Sequence, residues 1–123
     1  MQANGTNLDF RFYGTSAHAG VNPQGGANAL AGACHCVTQL LVIPRHGERM
    51  TRINVGTLKA GEGRNVIPAS AQLQLEVRGA DSQINDYMIK CALNTGKGIA
   101  LGLNLRFEHE VMGRPLIYIM TQN

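Results

Sequence analysis

The chain has 123 residues, 44% hydrophobic and 15% charged, which suits one globular domain with a real core and excludes a disordered chain or a two-domain protein. A formal net charge of +3 arises from 11 basic and 8 acidic residues, but the cations are scattered without a Lys/Arg run, so no nucleic-acid partner is expected. No apolar run is long enough to span a bilayer and no signal-peptide pattern is present, so no membrane partner is expected. An odd count of three cysteines (Cys34, Cys36, Cys91) fits reduced thiols in the cytoplasm.

In chain order, Met1 to Thr6 carry no pattern and read as a lead-in. From Leu8 to Tyr13 the chain alternates, with Leu8, Phe10 and Phe12 on one side, as in a strand with one buried face. A loop of small residues around His18 follows. Asn22-Pro23 reads as a helix start, placing a helix over 24–43 with the stripe Leu30, Ala33, Cys34, Val37, Leu40 and Leu41, ended by Pro44. Residues 51–60 alternate again around Ile53 and Val55. Gly61-Glu62-Gly63 is a turn, and Asn65-Val66-Ile67-Pro68 an extended lead into the next strand. Ala71 to Arg78 is the cleanest alternation in the chain. Asp81 or Ser82 caps a second helix with the stripe Ile84, Met88, Cys91, Ala92 and Ile99, loosened at its end by Gly98 and Gly102. Leu103, Leu105 and Phe107 mark a fourth strand. The tail from Gly113 carries no assignable element.

This β-α-β-β-α-β order predicts an α+β, ferredoxin-like sandwich in a single domain over 1–123: a four-stranded antiparallel sheet with two helices on one face. Right-handed crossovers set the strand order as fourth, first, third, second. The first and fourth strands then run side by side in opposite senses. The chain enters and leaves at one end, as suits a domain inserted in a larger protein. Strand 51–60 lies at an edge, free to pair with another chain.

Self-contained catalytic chemistry is not evident. Cys34-His35-Cys36 on a helix point in different directions and cannot close around one ion. No metal site is therefore expected in this chain. Cys34 reads as core and His35 as helix surface. Ser16 lacks a nucleophile-elbow context, and the carboxylates are isolated. Three polar residues stand out at strand ends or loops: His18, flanked by residues too small to cover it; Asn65, an amide before Val-Ile-Pro; and Arg78, able to grip a carboxylate bidentately.

Gly14-Thr15-Ser16-Ala17-His18-Ala19-Gly20, Pro23 and Gly26 to Ala29, with Ile53-Asn54-Val55-Gly56, Ala60-Gly61, Asn65 to Pro68 and Leu75 to Arg78, resemble the dimerisation, or lid, domain of the di-metal aminoacylase and carboxypeptidase family. Asn54-Val55-Gly56, Gly63-Arg64-Asn65 and Arg78-Gly79 look most like its aminobenzoyl-glutamate hydrolase-like branch. The resemblance implies a lid domain of an amidohydrolase or peptidase cleaving an N-acyl or N-aroyl amino acid, a small amide bearing a carboxylate. It implies that His18 acts as an oxyanion donor across a dimer interface, and that Asn65 and Arg78 bind substrate. It further implies a homodimer formed through strand 51–60 and helix 24–43. Two divalent metal ions, zinc or manganese, would sit in a catalytic domain absent from these residues, leaving the chain inactive by itself. The alternative is a free-standing βαββαβ module that binds or senses a small ligand.

Overall fold

A computed structural model describes residues 4–47 and 49–112. The first alternating run is strand β1 (Asn4–Tyr13), and Leu8, Phe10 and Phe12 are fully buried along one face. The strand begins earlier than its alternation suggests, because Thr6 is buried and accepts a 2.9 Å hydrogen bond from the Asn85 amide. Thr6 and its neighbours are thus part of the sheet and not a lead-in.

Strands β2 (Thr51–Ala60), β3 (Ser70–Gly79) and β4 (Arg106–Met112) complete one antiparallel sheet in the order β2-β3-β1-β4. The predicted class and strand order both stand. In β3 the odd positions Ala71, Leu73, Leu75 and Val77 are buried beneath the helices, while Gln72, Gln74, Glu76 and Arg78 face away. Phe10 lies opposite Leu73 and Leu8 opposite Leu75, so the apolar faces of β1 and β3 are in register. Each such buried side chain contributes about 1.5–3 kcal/mol.

Helix α1 (Ala29–Leu41) and helix α2 (Ser82–Leu103) cover that face, joining Ala33, Cys36, Leu40, Met88, Ala92 and Ile99 to the sheet in one core. The helix expected over 24–43 is shorter. Pro23–Gly25 is a single 3-10 turn, and Asn22 makes no side-chain cap there. The chain turns extended at Gly26, where a Cβ would come within 2.7 Å of Ile67. Asn28 is the true cap, its Oδ1 accepting from Ala31 N–H at 2.9 Å. The buried face follows from this start: Ala29, Gly32, Ala33, Cys36 and Leu40 point inward. Cys34, expected in the core, is exposed, and Cys36 takes its place. Its burial pushes the Cys36 thiol up to about 12.

Asp81 caps α2, with Oδ1 accepting from Ile84 N–H at 2.9 Å. The helix does not loosen at Gly98 or Gly102. It continues through Leu103 and closes on Asn104, left-handed at φ 59°. Leu103 is therefore helical, and β4 starts only at Arg106. Gly96 is where α2 meets β4: a Cβ there would lie 2.5 Å from the Phe107 ring. The tail from Gly113 lies outside the described residues.

The helix-free face of the sheet is polar and cross-linked. Arg11 bridges Glu110 at 3.0 Å, Thr57 donates to Gln74 at 2.9 Å, and the Arg106 guanidinium lies 4.3 Å from the Tyr13 ring centroid.

Candidate functional site

The loop between β1 and α1 is held by backbone on both flanks. Gly14 N–H donates to Ala69 O at 2.7 Å, and Thr15 and Ala27 exchange N–H···O bonds at 3.0 and 2.9 Å. Further along, Ile67 N–H donates to Ala17 O at 2.9 Å and Ala19 N–H to Asn65 O at 3.1 Å, so His18 pairs with Val66 as an isolated antiparallel bridge. The Pro68 segment that leads into β3 is thus a partner of the histidine loop. His18 and Asn65, both exposed, come together at the end of the sheet where β3 begins.

His18 is presented, not merely exposed. Val21 and Asn22 donate N–H bonds to its carbonyl at 3.2 and 2.9 Å. Gly20 N–H donates to its ring at Nδ1, 3.1 Å away. A backbone N–H can only donate, so Nδ1 is the acceptor and the neutral ring carries its proton on Nε2. The free edge of the imidazole is therefore a hydrogen-bond donor. This backbone partner is not visible in sequence reasoning beyond the smallness of Ala17, Ala19 and Gly20.

Arg78 lies elsewhere. It is the ninth residue of β3, eight steps from Ser70, which at about 3.3 Å per residue places it roughly 26 Å from the histidine end. Its guanidinium sits on the helix-free face, bonds Glu76 at 3.1 Å, and packs over Gly5, where a Cβ would meet Arg78 Cγ at 3.4 Å. The Glu76 hydrogen bond and charge raise the guanidinium above its ordinary value, keeping it cationic. Within one chain, His18 and Asn65 are brought together and Arg78 is not. A cavity of about 400 Å³ opens on the helix-free face at the histidine end, lined by Arg11, Tyr13, Lys59, Glu62, Ser70 and Gln72 among others.

Among the described residues, no three His, Cys, Asp or Glu side chains converge as metal ligands do. Nor, among them, is any helix long and apolar enough to cross a membrane.

A four-stranded antiparallel sheet with two helices on one face, showing polar side chains at both of its ends, defines a ferredoxin-like α+β domain. The sequence profile of the peptidase dimerisation domain matches residues 2–90, and the chain belongs to that family. It is 56% identical over 108 residues to a p-aminobenzoyl-glutamate hydrolase homolog of Haemophilus influenzae, covering 88% of this chain and 26% of that protein. It is 39% identical over 108 residues to the indole-3-acetyl-aspartic acid hydrolase of Enterobacter agglomerans, covering 88% of this chain and 25% of that one. The crystal structure of an aminobenzoyl-glutamate utilization protein from Klebsiella pneumoniae superposes with a TM-score of 0.89 at 40% identity, over 91% of this chain and 28% of that one. The chain thus spans about a quarter of the length of the relatives it matches.

Proposed function

We propose that this chain is the lid and dimerisation domain of a metal-dependent amidohydrolase that cleaves an N-acyl or N-aroyl amino acid, an aminobenzoyl-glutamate-like amide among them. The observation that carries this reading is the separation of His18 and Asn65 from Arg78 along a sheet whose edge, β2, has no partner strand on its outer side among the described residues. Two copies related by a two-fold axis at that edge, perpendicular to the strands, would pair β2 with β2 antiparallel. Thr51 lies beside the Arg78 end of the sheet and Ala60 beside the histidine end. Antiparallel pairing therefore sets Arg78 of one protomer near the partner's His18 and Asn65. Exposed apolar side chains on the α1–β2 side, Leu41, Val42, Met50 and Leu58, supply surface for such an interface.

In this arrangement Arg78 holds the carboxylate of the amino-acid part with its charged fork. The partner's His18, protonated on Nε2, donates to the scissile carbonyl oxygen as negative charge develops there, and Asn65 adds an amide donor. Such donors act strongly only when water is excluded, which is the work of a closing lid. The divalent metal ions implied by the resemblance belong to a catalytic domain outside these residues, and the roles assigned to this chain involve none of them. The three unpaired thiols support a reducing, cytoplasmic location.

His18→Ala in the full-length enzyme should lower kcat by about 10²–10³-fold, the scale of losing one oxyanion donor, with little change in stability. Unaltered turnover would remove the role.

A further inference from the structure

The pairing register of β2 and β3 sets Arg52 directly opposite Arg78. Both lie on the helix-free face, because their neighbours Ile53 and Val77 pack into the core. Directly opposed side chains on neighbouring strands have Cβ atoms about 5 Å apart, and like charges so placed are destabilising. Only one of the two is neutralised. Glu76 bonds Arg78 through Nη2, while Arg52 has no ion pair among the described residues. The nearby Asp81 carboxylate is taken by Arg49 and by the N-terminus of α2. One guanidinium with a free fork thus stands beside another that Glu76 holds by a single nitrogen. Gly5, opposite Arg78 on β1, leaves the Arg78 side chain room to lie flat.

We infer that Arg52 is a specificity-determining residue that binds the second carboxylate of the aminobenzoyl-glutamate-like amide proposed above. The assignment rests on the reading of Arg78 as the site of the first carboxylate. Two guanidinium groups a strand apart can be straddled by the two carboxylates of one small amino acid, and ligand charge then relieves the like-charge pair that the sheet otherwise leaves in place. A substrate with a single carboxylate would engage Arg78 and leave Arg52 unused.

The test is steady-state kinetics of the full-length enzyme on a matched pair, an N-aroylglutamate and the corresponding N-aroylglutamine. Arg52→Gln should raise KM for the glutamate substrate at least about tenfold with kcat nearly unchanged, the scale of losing a charge-assisted hydrogen bond, and leave KM for the glutamine substrate where it was. Arg52→Lys, which keeps the charge and loses the fork, should fall between. Equal effects on both substrates, or none on either, would overturn the assignment. Arg78→Gln serves as the separate control, since it should damage both substrates alike. If it harms neither, or if neither amide is hydrolysed at all, the underlying lid reading fails and the role of Arg52 falls with it.

Discussion

The backbone N–H of Gly20 donates to Nδ1 of His18 across 3.1 Å. That one bond decides which ring nitrogen can act on anything outside the loop. Long-range proton–nitrogen correlation spectra of the chain should find the neutral His18 ring protonated on Nε2, with Nδ1 as the acceptor. Gly20→Ala should keep the same tautomer, because a Cβ there meets the ring no closer than 3.5 Å. A ring protonated on Nδ1 would contradict the geometry and leave no donor at its free edge.

The start of α1 makes a second expectation. Asn28 caps the helix through its side chain and Asn22 caps nothing. Asn28→Ala should cost about 1 kcal/mol in urea unfolding, within the usual 0.5–2 range for a lost cap. Asn22→Ala should cost only a few tenths, as surface changes do. Equal losses would place the helix start where the Asn-Pro pair alone suggests it.

Cys36 is the buried thiol and Cys34 the exposed one. With its pKa pushed to about 12, Cys36 is ionised to roughly one part in 10⁴ at pH 8, so alkylation should reach it only on unfolding. Because the folded value lies above the ordinary one of 9.0, the native state holds this proton more tightly than the unfolded chain. The resulting stability is fully present below about pH 9 and is lost as pH rises towards 12. Denaturation midpoints across that window should fall, and the part due to Cys36 should vanish in Cys36→Ala. Rapid labelling of Cys36 in the folded chain would refute its burial.

Strands are legible in the sequence wherever one face is buried and the other wet, as in Ala71 to Arg78, because a period of two has no helical competitor there. The strand order follows from crossover handedness, which needs only the element order. Boundaries that depend on tertiary contact are not legible. Asn22-Pro23 satisfies every local rule for a helix start, yet Ala27 is drawn away to pair with Thr15, and Gly26 packs against Ile67. Leu103, Leu105 and Phe107 show a period of two, but the left-handed turn at Asn104 splits them between helix and strand. At the site, the family resemblance singles out His18, Asn65 and Arg78. Neither that resemblance nor the spacing reveals that the first two meet across the His18–Val66 bridge while the third lies at the opposite end of β3.

In the proposed dimer a working site takes His18 from one protomer and Arg78 from the other. Co-expression of full-length His18→Ala and Arg78→Ala chains, with the mixed dimer purified by two tags, tests it most directly. If the groups act across the interface, each mixed dimer holds one intact site and one doubly defective site, and activity should return to about half that of the unmodified dimer, far above either variant alone. If both groups act within one protomer, every site in the mixed dimer is defective, and activity no higher than that of the separate variants would contradict the account.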